Sequence, residues 1–407
     1  MLDFTALFYI FGISIAVFLS ILIFIQPQRT QANTVLSSWL VLIALHIALY
    51  VLVRTNDLAV ITSLAPLGVV LPMVEGIFLY AYTAALTNQM PRRKSAWLLH
   101  LVVPCIFLVW MIPFMIMPKE QQMTIFRNKG AGYEVFLITD RIAVVASMMG
   151  YTLWAQVLLR RHRRNILNEF SNTDKITLNW LQYLIYGFGI VFLAVLYQGG
   201  NWIIYSAITA MVLFIGFFGI RQVGILTPLH NTPIPEKLPS LAPNEEISHV
   251  SASMILPEHE AESLLPKNTE APDIAEEKKK YAKSGLTALM AEEYHAKLRQ
   301  AMQKRKLFTN NELTLSTLAD ELGILPNYLS QIINEREGKT FYDYVNELRI
   351  EEFKRRVALP ENSNLTLLAV AFDCGFNSKS SFNRCFKKVM NCSPSEYLEK
   401  MNIPSHP

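Results

Sequence analysis

A stretch near the end of the chain, CGFNSKSSFNRCFKK at 374–388, carries side chains whose types and spacing suit contact with a nucleic acid. Its apolar residues follow the i, i+3, i+4, i+7 spacing of a buried helical stripe, which consists of Phe382, Cys385, Phe386 and Val389. The other side chains are polar or basic, and they are Lys379, Ser380, Asn383, Arg384, Lys387 and Lys388. Short polar groups near a helix N-terminus suit hydrogen bonds to base edges, and basic groups further along suit phosphates. This pattern predicts a helix that lies on DNA.

An earlier stretch has the same plan. LADELGILPNYLSQIIN at 318–334 and VAFDCGFNSKSSFNRCFKK at 370–388 each predict a short helix, a glycine turn and a second helix. In both stretches an alanine stands four residues before the turn glycine, and the pairs are Ala319 with Gly323 and Ala371 with Gly375. The alanines let the two helices cross closely, and the glycines suit a helix end that needs positive φ. The second helix of the first unit is predicted to expose Asn327, Ser330 and Gln331.

The charge balance of this part leaves a second interpretation open. Over 286–400 the sequence has 16 Lys and Arg against 15 Asp and Glu, so a mixed-charge helical domain that binds protein also fits. Ahead of both units, residues 285–304 predict a helix that either packs on the domain or pairs two chains. Its apolar side consists of Leu286, Leu289, Leu298 and Met302. Two helix-turn-helix units, joined by a longer predicted helix over 341–359, favour DNA over protein as the partner.

Residues from about 285 to 399 resemble the DNA-binding domain of the AraC/XylS family of bacterial transcription regulators, most specifically in CGFNSKSSFNRCFKK and in SPSEYL at 393–398. The resemblance implies two recognition helices in successive major grooves, with centres ~34 Å apart. It implies base-edge contacts from Asn327, Ser330, Gln331, Lys379, Ser380 and Arg384, and phosphate contacts from Lys387 and Lys388. RNA polymerase is an expected partner besides double-stranded promoter DNA, and a homodimer is compatible with the resemblance.

Two positions depart from the family pattern. Asn391 stands where the family usually has glycine, and Asn is the next-best residue for a left-handed helix cap. Leu325 replaces the usual Ser or Thr before the first recognition helix, which removes an N-cap hydrogen bond that Pro326 partly offsets. Most of the family carries a soluble effector-binding domain that this sequence does not resemble. The chain looks like a subset with multi-span membrane segments instead.

The first half of the chain is much more apolar than the rest. Hydrophobic residues make up 52% of the sequence, and the excess lies before Arg221. Seven apolar runs of about 19 to 27 residues are each long enough to cross a hydrocarbon core of ~30 Å. They cover 4–25, 34–53, 61–87, 96–117, 141–159, 178–198 and 202–220.

The basic residues between the runs predict an orientation. With the N-terminus outside, the inner loops carry Arg29, Arg92, Arg93, Lys94, Arg160, Arg161, Arg163, Arg164 and Lys175. The outer loops carry fewer, namely Arg54, Lys119, Arg127 and Lys129. Because the basic excess belongs on the cytoplasmic side, seven spans deliver everything after Arg221 to the cytoplasm, from a multi-pass domain in the bacterial inner membrane. We interpret RRHRR at 160–164 as a contact with anionic lipid headgroups.

Two polar residues inside the runs are candidate sensing residues. Glu75 lies in LPMVEGIFLY, near the middle of the third run, and His46 lies in the second. A carboxylate at mid-bilayer is costly and therefore faces protein or water. Glu75 fits a ligand or proton site and an interhelical hydrogen bond equally, whereas His46 fits the hydrogen bond better.

Composition divides the chain into three predicted parts of an all-α protein. They are a seven-span domain over 1–222, a Pro-rich flexible linker over 223–280, and a cytoplasmic domain with two helix-turn-helix units over 281–407. Eight prolines lie between Pro228 and Pro272, where no periodic pattern persists. The four cysteines form no C-x-x-C pair and no zinc-type cluster, so we expect free thiols and neither metal nor cofactor.

The sequence thus predicts a non-enzymatic, membrane-embedded one-component transcription regulator that binds promoter DNA in response to an unknown signal. One alternative is a membrane transporter or sensor whose tail acts through protein contacts. Transport is disfavoured because the runs do not carry intramembrane charges in paired halves. A kinase is disfavoured because the sequence has no Gly-rich nucleotide loop. A factor released by proteolysis in the linker is a further alternative.

Overall fold

The structure is a computed structural model that describes residues 4–27, 29–53, 58–91, 93, 95–173, 176–197, 200–222 and 285–401. These residues form helices and turns, with a single isolated β-bridge and no strand among them. The all-α prediction is therefore confirmed for the described part of the chain. The predicted linker over 223–280 lies outside the described residues, as do Arg54, Arg92, Lys94 and Lys175 of the predicted loops.

Nine helices lie in the described part of the first 222 residues. In chain order they are α1 (Phe4–Ile25), α2 (Gln31–Val53), α3 (Leu58–Leu86), α4 (Ala96–His100), α5 (Val102–Ile116), α6 (Lys119–Arg127), α7 (Glu134–Glu169), α8 (Asn179–Leu196) and α9 (Asn201–Gln222). Six of them, α1 to α3 and α7 to α9, are long and apolar enough to cross a membrane. They pack in a closed ring, in which α1 contacts α2 and α9, α3 contacts α2 and α7, and α8 contacts α7 and α9.

The fourth predicted run differs from a single continuous span. It is divided into α4 and α5, and α5 is followed by α6 at an angle of 113°. The division has a local cause, since Pro104 has no N–H to donate to the carbonyl of His100 and so weakens a helix through Leu101. Pro118 then precedes the first residue of α6. The count of candidate spans is six, or seven if the bent pair of α5 and α6 is one span.

The fifth predicted run belongs to a much longer helix than its apolar residues indicate. The sequence predicts a span over 141–159, whereas α7 has 36 residues from Glu134 to Glu169. A helix of this length is ~54 Å long, well beyond a hydrocarbon core of ~30 Å. The RRHRR stretch at 160–164 is helical and belongs to this extension.

The described C-terminal residues, 285–401, form seven further α-helices. They are α10 (Ala288–Gln300), α11 (Leu315–Leu322), α12 (Pro326–Ile332), α13 (Phe341–Val357), α14 (Leu367–Asp373), α15 (Lys379–Met390) and α16 (Pro394–Lys400). Each of them except α12 has a Ser or Thr N-cap whose side chain accepts a hydrogen bond from the first turn, which satisfies one of the otherwise unpaired backbone donors. Helix α12 follows Leu325, whose side chain makes no cap, and starts at Pro326 as the sequence predicts.

Two apolar cores organise this domain, one for each helix-turn-helix unit. The first surrounds Leu318, Leu329 and Val345, and the second surrounds Phe353 and Phe386. Helix α13 contributes to both and therefore joins the two units. Within one chain, helix α10 packs on the first unit, with Leu298 and the following Met302 buried in its core. Leu289 is 83% exposed and is therefore not part of the predicted apolar side.

Candidate nucleic-acid interface

The second unit presents α15 with its apolar and polar faces divided as the sequence predicts. Phe382, Cys385 and Phe386 are buried, and Val389 is partly buried against the same core. The six predicted outward residues, Lys379, Ser380, Asn383, Arg384, Lys387 and Lys388, are all exposed. The Ser378 hydroxyl caps the helix by accepting a hydrogen bond from the N–H of Ser381. The cap stabilises the first turn of α15, whose polar side chains are exposed.

Two of the exposed cations on α15 also contact the connecting helix α13. The Arg384 guanidinium donates to the hydroxyl of Tyr342 at 3.2 Å, and Lys388 Nζ lies 2.6 Å from Asp343 Oδ1. Burial raises the pKa of Tyr342, so its hydroxyl stays neutral beside Arg384. These contacts fix the direction of α15 relative to α13 and leave both cations at the surface.

The first unit presents its recognition helix α12 less fully than the sequence predicts. Asn327 is exposed and Ser330 is partly exposed, as expected. Gln331 is only 8% exposed and donates from Nε2 to Glu335 Oε1 at 3.0 Å, so its predicted outward position is wrong. Glu335 follows Gln331 by four residues and therefore lies on the same side of the helix, where its carboxylate pairs with the amide.

Three basic residues near the end of α13 share one carboxylate. Glu352 accepts hydrogen bonds from Lys306, Arg355 and Arg356 at 2.7 to 3.0 Å. The hydrogen bond from Arg355 is the largest cause that lowers the pKa of Glu352 to about 2. These three cations are held by an ion pair within the domain, whereas Lys379 and Lys387 extend the exposed basic surface of α15.

The residue that holds the two units together, Arg349, was not predicted from the sequence. Its side chain is 1% exposed, and its guanidinium donates to the carbonyls of Phe308 at 2.7 Å and Asn310 at 2.8 Å. Burial lowers the pKa of Arg349 to about 10, which still leaves it protonated at neutral pH. The signal was present in the sequence, because Arg349 lies four residues from both Val345 and Phe353, which are fully buried.

The two candidate sensing residues meet inside the helical ring. Nδ1 of His46 on α2 lies 2.6 Å from Oε1 of Glu75 on α3, and Nε2 of His46 lies 3.1 Å from the hydroxyl of Tyr205 on α9. Tyr205 stacks on Tyr50 with ring centroids 3.8 Å apart. One buried polar network therefore joins three helices of the ring.

Two helix-turn-helix units on a shared connecting helix, with polar and basic residues exposed on the second helix of the second unit, define a DNA-binding domain. Residues 318–400 match the family profile described as a helix-turn-helix domain. The domain is of the AraC type found in transcription regulators.

Curated relatives match between a fifth and a quarter of the chain. The probable transcription factor PqrA of Proteus vulgaris is 27% identical over 99 residues, which are 24% of this chain and 79% of PqrA. The uncharacterized HTH-type transcriptional regulator YijO of Escherichia coli is 36% identical over 85 residues, 21% of this chain and 29% of YijO. The HTH-type transcriptional activator RhaS of Mannheimia succiniciproducens is 29% identical over 85 residues, 21% of this chain and 31% of RhaS. The chain thus spans less than a third of YijO and of RhaS, and no solved structure matches it.

Proposed function

We propose that this protein is a membrane-embedded, non-enzymatic transcription regulator that changes its hold on promoter DNA in response to a signal. The observation that carries the proposal is the combination, in one chain, of a double helix-turn-helix domain with a ring of apolar helices. The outward side chains of that ring are large and apolar; Phe18 is 59% exposed and Ile190 is 61% exposed. Such a surface is unfavourable in water and suits lipid.

The proposed orientation places the N-terminus outside and the DNA-binding domain in the cytoplasm, with the ring in the bacterial inner membrane. The basic residues near the inner ends of the helices support it, since Arg160, Arg161 and Arg164 lie in the last part of α7. The proposal requires an odd number of spans and thus counts α5 with α6 as one. RNA polymerase and a second copy of the chain are proposed partners.

On DNA, we propose that α12 and α15 each occupy a major groove. The proposed base-edge contacts are those of Asn327, Ser330, Lys379, Ser380 and Arg384, and the proposed phosphate contacts are those of Lys387 and Lys388. Gln331 is omitted because its side chain is buried.

Replacing Arg384 by alanine in the full-length protein is expected to weaken promoter binding by ~1–3 kcal/mol and to relax the preference at one base pair. The probe is a duplex selected by the wild-type protein from random DNA, and the measurement is fluorescence anisotropy with the protein in lipid nanodiscs. The matched control is Arg355→Ala, which removes an exposed arginine that pairs with Glu352 on α13. Equal losses in both variants would contradict the assignment of Arg384 to a base contact.

Replacing Glu75 by glutamine is expected to change transcription from a target promoter about fivefold, within the usual range of allosteric coupling. The amide has the same size but cannot ionise, so the variant removes the carboxyl group from the pair with His46 and keeps its volume. A reporter fused to a promoter found by genome-wide mapping gives the output, and an immunoblot of membranes gives the protein level. The control is Glu134→Gln at the exposed start of α7. Unchanged output with lowered thermal stability would show that the pair only joins helices.

A further inference from the structure

The end of α7 and the residues after it contact the DNA-binding domain. Residues 167–173, here called the docking segment, are the last residues of α7 and those that follow it. Ser171 in this segment is 1% exposed. Its N–H donates to the carbonyl of Leu313 at 3.3 Å, and its hydroxyl donates to the same oxygen at 2.6 Å. Phe170 and Thr314 form an antiparallel bridge beside these bonds. The segment is thus paired, backbone to backbone, with the start of the first helix-turn-helix unit.

The docking segment also contacts the connecting helix and the second unit. Nδ2 of Asn346 donates to the carbonyl of Ser171 at 3.0 Å, and Arg349 donates to the same carbonyl at 3.2 Å and to the Ser171 hydroxyl at 3.1 Å. Leu167 packs against the apolar core of the second unit. One short segment therefore touches both units and the helix between them, where it can fix the angle at which they meet.

Contacts behind the segment tie it to α7. Arg163 donates to the carbonyl of Thr177 at 3.1 Å and to Asn179 Oδ1 at 3.0 Å, and His162 lies 3.1 Å from the carbonyl of Ile176. The chain that leaves the segment is thus folded back on the helix that enters it. A displacement of the inner end of α7 would carry the segment with it.

Helix α7 in turn packs on α3 at residues that flank Glu75. Gly76, which follows Glu75, faces α7 so closely that a Cβ there would lie 3.0 Å from Tyr151 Cδ2. The Ser147 hydroxyl donates to the carbonyl of Met73 at 3.0 Å at the same crossing. A change at the His46–Glu75 pair therefore acts on the helix that ends in the docking segment.

We infer that the docking segment is the coupling element of this regulator: it holds the two helix-turn-helix units in the geometry that binds DNA, and movement of α7 releases them. The inference rests on the proposed function. The docked arrangement is the DNA-competent one because Asn327, Ser380 and Arg384 stay exposed in it. The units cannot place two helices in successive grooves unless their relative angle is set.

Disulfide trapping tests the docked arrangement. The full-length protein carries Phe170→Cys and Thr314→Cys, with a protease site inserted between residues 240 and 260. Facing residues of an antiparallel pair are close enough for a disulfide. After mild oxidation and cleavage in membranes, most chains should stay joined until reductant is added. The control carries Phe170→Cys alone with the native cysteines, and separation of the fragments in the double variant would overturn the docking.

DNA binding tests the coupling. Leu167→Asp places a charge against the second core without altering the DNA-binding domain itself, and should weaken binding of the selected duplex about tenfold in nanodiscs. The matched control is Asn165→Asp, which adds the same charge at an exposed position two residues earlier on α7. Trapping the docked state in the double-cysteine variant should retain wild-type affinity.

The outcomes separate this inference from the proposed function. If the wild-type protein selects DNA and Leu167→Asp binds it equally well, the coupling is wrong and the proposed function as a transcription regulator is retained. If the wild-type protein selects no DNA although the disulfide forms, the proposed function is wrong, and so is the coupling that rests on it. Weaker binding in Leu167→Asp alone, together with the disulfide, supports both.

Discussion

Arg349→Met is expected to lower the free energy of unfolding of the C-terminal domain by about 3–5 kcal/mol, because it leaves buried carbonyls without a donor at ~1–3 kcal/mol each. The carbonyls are those of Phe308 and Asn310, which accept hydrogen bonds from Nε and Nη2 of Arg349. Methionine fills a similar volume, so the loss comes from hydrogen bonds more than from packing.

Hydrogen exchange of the amides in α13 measures this loss in the full-length protein, since the six tryptophans all precede residue 203 and give no signal from this domain. A loss of 3–5 kcal/mol corresponds to exchange faster by roughly two to three and a half powers of ten. The matched control is Arg355→Met on the same helix. The Arg355 side chain is 53% exposed and pairs with Glu352, and such surface pairs contribute ~0–1 kcal/mol. Equal protection of α13 in the two variants would contradict the central role of Arg349.

The sequence predicted the faces of α15 well because that helix is regular from Lys379 to Met390 and its stripe repeats over two turns. It also predicted the helix end at Asn391, which has φ of 57°. It failed at Gln331, which lies within the regular helix α12 and is nevertheless only 8% exposed beside Glu335. A period of 3.6 residues assigns a side chain to a face of the helix, but a neighbour four residues on can still cover that side chain.

The membrane part shows a different limit. Apolar runs identified every long helix, because length and composition alone decide that assignment. The contact between Ser171 and Leu313 was not predictable, since it joins residues 142 apart through a backbone hydrogen bond that almost any sequence can make and through one serine hydroxyl. The pairing of His46 with Glu75 depends likewise on which helices are neighbours in the ring. Composition predicts which segments are helical, and only the fold determines which of them meet.

Gly375→Ala is expected to cost about 3 kcal/mol or more, which is far more than the same change at the equivalent glycine of the first unit. Gly375 has φ of +100°, and a Cβ there would lie 2.7 Å from the Phe308 carbonyl oxygen and 2.8 Å from Arg349 Nε. The strained backbone alone costs ~1–3 kcal/mol for a residue with a side chain. The clash adds to it because the nearest atom is backbone that cannot rotate away. Gly375 also lies against the Arg349–Phe308 hydrogen bond, so alanine would disturb the joint between the two units.

Gly323→Ala is the matched control for this prediction. Gly323 has φ of +65°, but a Cβ there would meet nothing within 4 Å. Only the backbone term remains, so a loss of ~1 kcal/mol is expected. Hydrogen exchange of α11 and α14 in the full-length protein measures both variants. Equal losses would mean that φ alone decides the cost and that the second turn does not support the joint. A much larger loss at Gly375 would show that two turns with the same sequence pattern differ in their structural role. The first turn ends a helix at the surface, whereas the second packs against the contact between the two units.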